Sequence, residues 1–224
     1  MFFQSEAHRN AVAALNDRLP LTVLVGPAGC GKTTTLDLWC PPDGLFVTCE
    51  PGLGKLGLLQ VILEQLDAGR DLYNGRQAMA RLRREVRAVG VGTIVLDDAH
   101  LLYKPCLEAV DWMVQNLRIP VVLAGHSLLR FQLEKVPTLA SRVDRLRVFE
   151  RLTRAEVVTL LERSWRLPRR EREHWEDFVW RVCEGRWVLL LRFLERLFQT
   201  CRPTLSRGPE LEQALADMGC QKVA

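Results

Sequence analysis

The stretch LTVLVGPAGCGKTTTL, Leu21 to Leu36, decides how this chain is read. It opens on apolar or β-branched residues from Leu21 to Val25, breaks at Gly26 into a glycine-rich turn, and closes on Lys32, Thr33 and Thr34. Gly26, Gly31, Lys32 and Thr33 satisfy G-x-x-x-x-G-K-[ST] between a buried strand and a helix, the context that a phosphate-binding loop requires. Glycines let the backbone curl so that its N–H groups converge on an anion, and the helix start adds partial positive charge. Lys32 reaches the outer phosphates and Thr33 offers its hydroxyl to Mg²⁺. Gly26, Pro27, Ala28, Gly29, Cys30, Gly31, Lys32, Thr33 and Thr34 are therefore the expected nucleotide-binding set.

Composition narrows what can surround that loop. With 224 residues, 48% hydrophobic and 26% charged, the chain is long enough for one large core, or for one core with a satellite domain. No apolar run approaches the roughly 20 residues that cross a bilayer. Met1 leads into FFQSEAHRN, which has neither a basic start nor an apolar signal core, so the expected location is the cytoplasm, with no membrane partner. The cysteines (Cys30, Cys40, Cys49, Cys106, Cys183, Cys201, Cys220) are odd in number and scattered, so reduced thiols are expected rather than a disulfide framework or a zinc site. The net charge of +4 permits a nucleic-acid partner without demanding one. Arg81, Arg83, Arg84 and Arg87 share a segment with Met79, Leu82, Val86 and Val89 at helical spacing, while Arg163, Arg166, Arg169, Arg170 and Arg172 crowd a later one. Either cluster is a binding surface or a solvated face.

Periodicity predicts an alternation. Helices are expected over Glu6–Asn16, Lys32–Trp39, Leu56–Leu66, Arg76–Val89 and Pro105–Leu117, and strands over Leu21–Val25, Leu45–Cys49, TIVLDD, PVVLAG and LRVFE. Nearly continuous apolar strands alternating with helices imply an α/β fold whose parallel sheet is covered on both sides. After Glu150 only helical patterns remain, broken at RLPRRE and near Gly185, with a further short helix expected over Pro209–Met218. The expected division is a nucleotide-binding α/β domain over 1–150 and a helical lid with a tail over 151–224.

The reaction is argued from what would face the γ-phosphate. TIVLDDAH delivers Asp97 and Asp98 to the C-terminal end of a strand, the edge where open α/β sheets bind ligands. Asp97 is expected to hold Mg²⁺ and Asp98 to polarise the attacking water. In IPVVLAGHSLL the strand ends on Gly125, His126 and Ser127, which would stand beside Asp97 if the two strands are neighbours. His126 is then either a reporter on the γ-phosphate or a satisfied loop residue. LASRVDRL places Arg142, with Arg145 as the alternate, where an arginine can reach a neighbouring subunit's γ-phosphate.

The order HRNAVAALNDRLPLTVLVGPAGCGKTTTL, TIVLDDAHLL, VVLAGHSLLRFQLE, LASRVDRLRVFERLTRAEVVTLL resembles the compact AAA+ ATPases that include the TnsC, TniB and MuB transposition regulators and the ExeA secretion ATPases. The resemblance covers about residues 5 to 200. It implies a P-loop AAA+ fold with a five-stranded parallel sheet, a small helical lid, and ATP with Mg²⁺ between sheet domain and lid and between subunits of a ring or helical filament. It further implies assembly on duplex DNA and recruitment of a transposase together with a target-selection protein. Lys104, in AHLLYKPCLEAV, falls where the family tends to place a lysine facing DNA; otherwise it is a solvated residue before Pro105. The sequence departs from the family twice. Asp98 stands where a glutamate is usual, which puts the hydrolysis rate in doubt. Arg186 and Trp187 follow Gly185, with Val188 where a lid arginine is usual, so Arg186 is the expected substitute at the nucleotide.

Other readings of the same residues are an ExeA-like secretion or cell-wall assembly ATPase, a small-molecule P-loop kinase, and a nucleotide-gated scaffold with negligible turnover. The first would call for a membrane span and the second for a mid-chain lid with an acceptor pocket. The third is compatible with the shorter acid at Asp98.

Overall fold

Strands β1 (Leu21–Val25), β2 (Gly44–Thr48), β3 (Thr93–Asp97), β4 (Val121–Gly125) and β5 (Arg145–Val148) form one parallel sheet in the order β2-β3-β4-β1-β5. The computed structural model in which they are seen describes residues 5–69, 74–164 and 172–200. β1, β3 and β4 are buried at every residue, as central strands covered on both faces must be. β5 departs from the expected coverage: it lies at the sheet edge and leaves Arg147 and Val148 exposed.

Around the sheet run α1 (Glu6–Asn16), α2 (Lys32–Trp39), α3 (Lys55–Glu64), α4 (Gly75–Val89), α5 (Lys104–Leu117), α6 (Leu128–Glu134) and α7 (Pro137–Ala140). Beyond Glu150 come α8 (Arg154–Ser164), α9 (Arg172–Cys183) and α10 (Trp187–Thr200). Local chemistry sets several of these ends. Asn74 caps α4 by accepting a 3.0 Å hydrogen bond from the Gln77 N–H, and Gly90 ends it in the left-handed region at φ 79°. Thr153 and Glu156 form a reciprocal capping box before α8, the Glu156 carboxylate accepting from the Thr153 N–H at 2.8 Å.

Several expected boundaries move. The second strand begins at Gly44 and ends at Thr48 rather than Cys49. The last strand ends at Val148, short of Phe149 and Glu150. The third ends at Asp97, because Asp98 turns into the left-handed region at φ 51° and starts a short 3-10 turn, Ala99–Leu101. The fifth helix begins at Lys104 with Pro105 in its first turn. The short helices α6 and α7 have no counterpart in the expected element order. The RLPRRE break and the helix expected over Pro209–Met218 lie outside the described residues, as do the side chains of Arg163, Arg166, Arg169, Arg170 and Arg172.

The chain divides into two units. One comprises Glu6–Pro27 and Lys32–Glu150, its core built from Leu21, Val23, Ile94, Leu96 and Leu123 of the strands against Leu58, Ile62, Leu82 and Val110 of the helices. The other gathers the described residues from Arg151 onward with Ser5 and the loop tip Ala28–Gly31. Its core holds Val157, Leu161, Trp175, Val179 and Phe193, with the Trp175 and Phe178 rings edge to face at 6.0 Å. Gly185 is required there: at φ 71° its carbonyl accepts from Leu152 N–H at 2.9 Å, and a Cβ would lie 2.3 Å from the Leu152 oxygen.

Candidate nucleotide site

The loop that follows β1 is built around Gly26. Its N–H donates to the Gly125 carbonyl at 3.1 Å, and a Cβ would stand 2.2 Å from the Phe149 oxygen, so no other residue fits. Lys32, on the first turn of α2, is buried, and its Nζ donates to the carbonyls of Gly26 and Pro27, each at 2.9 Å. The ammonium is thereby tethered inside the loop that would close on a phosphate. In the helical unit, Gly29 sits at φ 73° and accepts a 3.2 Å hydrogen bond from the Val188 N–H at the start of α10. Gly31 has φ 104°, and Cys30 is buried.

Next along α2, the Thr33 hydroxyl donates to Asp97 Oδ2 at 2.6 Å. Asp97 ends β3, is buried to 1% exposure, and its Oδ1 accepts the Asp98 N–H at 2.9 Å. A hydroxyl and a carboxylate in contact beside a tethered lysine are the oxygen donors that Mg²⁺ favours, so loop and donor set fit a Mg²⁺-bound nucleotide. The Asp97 and Asp98 charges also bear on Cys49, just past β2. Burial chiefly, then Asp97, Asp98 and Cys106, push its thiol up to about 12, which keeps it protonated and unreactive.

β3 and β4 are neighbours, so the ends carrying Asp97 and His126 lie side by side. His126 is half-buried, and its Nδ1 lies 3.1 Å from Ser127 Oγ. Between it and Asp98 stands His100, from the 3-10 turn: its ring is 6.1 Å from that of His126, and its Nδ1 is 3.8 Å from Asp98 Oδ1. Nothing in the sequence reading singles out His100, although it belongs to the same TIVLDDAH segment.

Arg142, expected to reach across a subunit boundary, has a partner in its own chain. Its Nε donates to Asp111 Oδ1 at 3.0 Å, and Gln115 Nε2 donates to the other oxygen of the same carboxylate at 2.9 Å. Asp111, a nearly buried acid on α5, is likewise absent from the expected site; its signal is an acid on the helix side that otherwise carries Leu107, Val110 and Val114. Arg145 pairs with Asp17. Arg186 turns its guanidinium onto Glu184 at 3.1 Å, and the Val188 N–H donates to the loop tip at Gly29. Thr34 is half-buried, and Lys104 is exposed at the start of α5.

A family model described as an AAA domain matches residues 17–133. No curated protein matches the chain. Similar solved structures include the ORC1 protein of Aeropyrum pernix in complex with DNA, at 15% identity and TM-score 0.68, covering 95% of this chain and 64% of that one. The ORC2 protein of the same organism, in ADPNP–ADP complexes, aligns at 14% identity and TM-score 0.67 over 94% of this chain and 66% of its own. A signal transduction ATPase with numerous domains and a tetratricopeptide repeat sensor, from Pyrococcus horikoshii, aligns at 15% identity and TM-score 0.58, covering 94% and 32%. The chain thus spans just under two thirds of these ORC chains and about a third of the signalling ATPase. At these identities the likeness is one of fold, whereas the family model takes in more than half of the 224 residues, and the chain belongs to the AAA domain family.

Proposed function

We propose that this chain is an ATP-hydrolysing AAA+ switch that assembles as a ring or helical filament on duplex DNA and, so assembled, recruits or activates a transposase for target selection. One observation carries the nucleotide half: Thr33 and Asp97 are hydrogen-bonded beside the tethered Lys32, with Asp98 next along the chain. Lys32 binds the outer phosphates, and Thr33 and Asp97 hold Mg²⁺, which when bound offsets the negative charge of the phosphoryl oxygens. Asp98 orients the attacking water and takes its proton. His126 contacts the γ-phosphate from β4, and Arg142 adds positive charge from an adjacent subunit. The DNA half is supported by exposed Lys104, by the arginines of α4, and by the likeness in fold to a protein whose structure contains DNA. The transposase and its target-selection partner rest on the sequence resemblance.

A nucleotide-gated scaffold with negligible turnover is the second reading, favoured by the left-handed backbone of the short acid Asp98. Steady-state ATPase with and without duplex DNA tests both. Turnover that rises with DNA is expected; ATP binding without turnover in either condition selects the scaffold, and DNA-independent turnover removes the DNA half.

A further inference from the structure

His100 is held through its backbone carbonyl, while its ring Nδ1 is left without a hydrogen-bond partner among the described residues. Its carbonyl accepts from Gln132 Nε2 of α6 at 2.8 Å, and the turn that carries it is closed by the Leu101 N–H on the Asp98 carbonyl at 2.9 Å. Gly125 at the end of β4 leaves room for it: a Cβ there would lie 2.9 Å from the His100 backbone nitrogen and 3.2 Å from its Nδ1. The ring therefore lies against the end of β4, and its side chain is 22% exposed. Yet Nδ1 is buried and has no hydrogen-bond partner among the described residues, and it faces Asp98 Oδ1 at 3.8 Å. A buried ring nitrogen without a partner is costly, and a carboxylate shift of less than about 1 Å would bring this one into hydrogen-bond range. Asp98 is the group able to make that shift, because its side chain is 47% exposed while that of His100 lies against β4. Its backbone is in the left-handed region at φ 51°, a conformation retained where the surroundings impose it.

We propose that His100 is a positioning residue for Asp98: its Nδ1–H donates to the Asp98 carboxylate and fixes the side of that group turned toward the attacking water. The proposal rests on the hydrolysis reading above. His100 itself moves no proton and touches no phosphate. It makes up for the shortness of Asp98 by restricting where a mobile carboxylate points, and misplacement of a catalytic group by about 1 Å costs on the order of 100-fold in rate. The 6.1 Å separation of the His100 and His126 rings puts His126 behind the same contact, so the two strand ends share one row of side chains, Asp98–His100–His126.

The test is a set of His100 variants combined with Asp98→Asn, assayed for ATPase kcat and KM and for affinity toward a non-hydrolysable ATP analogue. His100→Ala is expected to lower kcat about 10- to 100-fold with KM and analogue affinity unchanged. His100→Asn, whose amide nitrogen can occupy the Nδ1 position, is expected to restore most of the rate, and His100→Gln, which mimics the other ring nitrogen, is not. In the Asp98→Asn background His100→Ala should cost nothing further. Unchanged kcat in His100→Ala, equal loss in the Asn and Ala variants, additive losses in the double variant, or loss of analogue affinity would each overturn the positioning role. Full turnover in Asp98→Asn, or no turnover in the unaltered chain, would instead overturn the hydrolysis reading itself, so the two failures are told apart.

Discussion

The Thr33 hydroxyl and Asp97 Oδ2, 64 residues apart in sequence, meet at 2.6 Å. That contact joins the first turn of α2 to the end of β3, and it joins two groups that can ligate one cation. If they do, Thr33→Ala should weaken ATP binding by about 10- to 100-fold in Mg²⁺ and far less in EDTA, as loss of a group that supports a metal does elsewhere. Lys32→Ala should abolish ATP binding under both conditions. Isothermal calorimetry with and without Mg²⁺ checks this, and equal loss in EDTA for Thr33→Ala would remove the metal role.

Arg142 is tied to Asp111 within its own chain, a pair 43% and 12% exposed. Removing the arginine leaves the nearly buried Asp111 carboxylate on Gln115 alone, a loss of about 1–3 kcal/mol, so Arg142→Ala should lower the melting temperature, and the trans role is read apart from that loss. Its expected effect on function is on turnover: ATP binding retained, hydrolysis lost. Mixing Arg142→Ala with Lys32→Ala subunits should partly restore activity, because one subunit supplies the arginine and the other the site. Folded, co-assembled mixtures with no rescue at any ratio would place Arg142 in its own subunit's chemistry.

His8 gives a pH dependence. Its Nδ1 lies 2.9 Å from Thr35 Oγ1, between α1 and α2, and burial first, then Arg9, hold its pKa below the ordinary 6.5. Above 6.5 the ring is neutral in both folded and unfolded chain, and the full stability is present. As pH falls below 6.5 the unfolded chain takes up a proton that the folded one resists, so stability declines until the folded pKa is passed. The melting temperature should therefore drop between about pH 7 and pH 5, and His8→Gln should flatten that drop. An identical slope in the variant would assign the dependence to other groups.

How much of the site is legible in the sequence follows from the range of the interactions. The loop from Gly26 to Thr33 is readable because a short spacing encodes its chemistry, and the central strands because continuous apolar runs report burial on both faces. The edge strand β5 is harder, since Arg145 and Arg147 alternate with Leu146 and Val148 as in any half-exposed strand. The partners Asp111 for Arg142 and His100 for Asp98 are not legible. Arg142 and Asp111 are 31 residues apart, and only the packing of α5 near α7 brings them together. His100 is two residues from Asp98, but it faces back toward it because Asp98 leaves the strand in a left-handed conformation that no spacing announces. The partner of Arg186 is local in the same way: Glu184, two residues away, takes its guanidinium.

DNA binding supplies the last prediction, and α4 refines which side chains should carry it. Arg81 and Arg84 share the carboxylate of Glu85, at 3.8 and 2.7 Å, so their charge is partly offset. Arg76, Arg83 and Arg87 are exposed and have no acidic partner among the described residues, and Lys104 is exposed at the start of α5. If subunits line up along a duplex, each needs only one or two phosphate contacts, because many weak contacts add once ATP has fixed the spacing. Binding should then tolerate any sequence, weaken steeply with salt, and be far stronger with a non-hydrolysable ATP analogue than with ADP. Removing one phosphate-binding side chain should reduce the salt slope by about 0.9 for each subunit bound. Lys104→Ala and Arg83→Ala should do so, whereas Arg84→Ala, already satisfied by Glu85, should change it least. Fluorescence anisotropy on random duplexes at several salt concentrations measures all of these. Affinity that is equal and salt-insensitive with ATP analogue, with ADP and without nucleotide would remove DNA from the function, and with it the reason for α4 to display unpaired arginines.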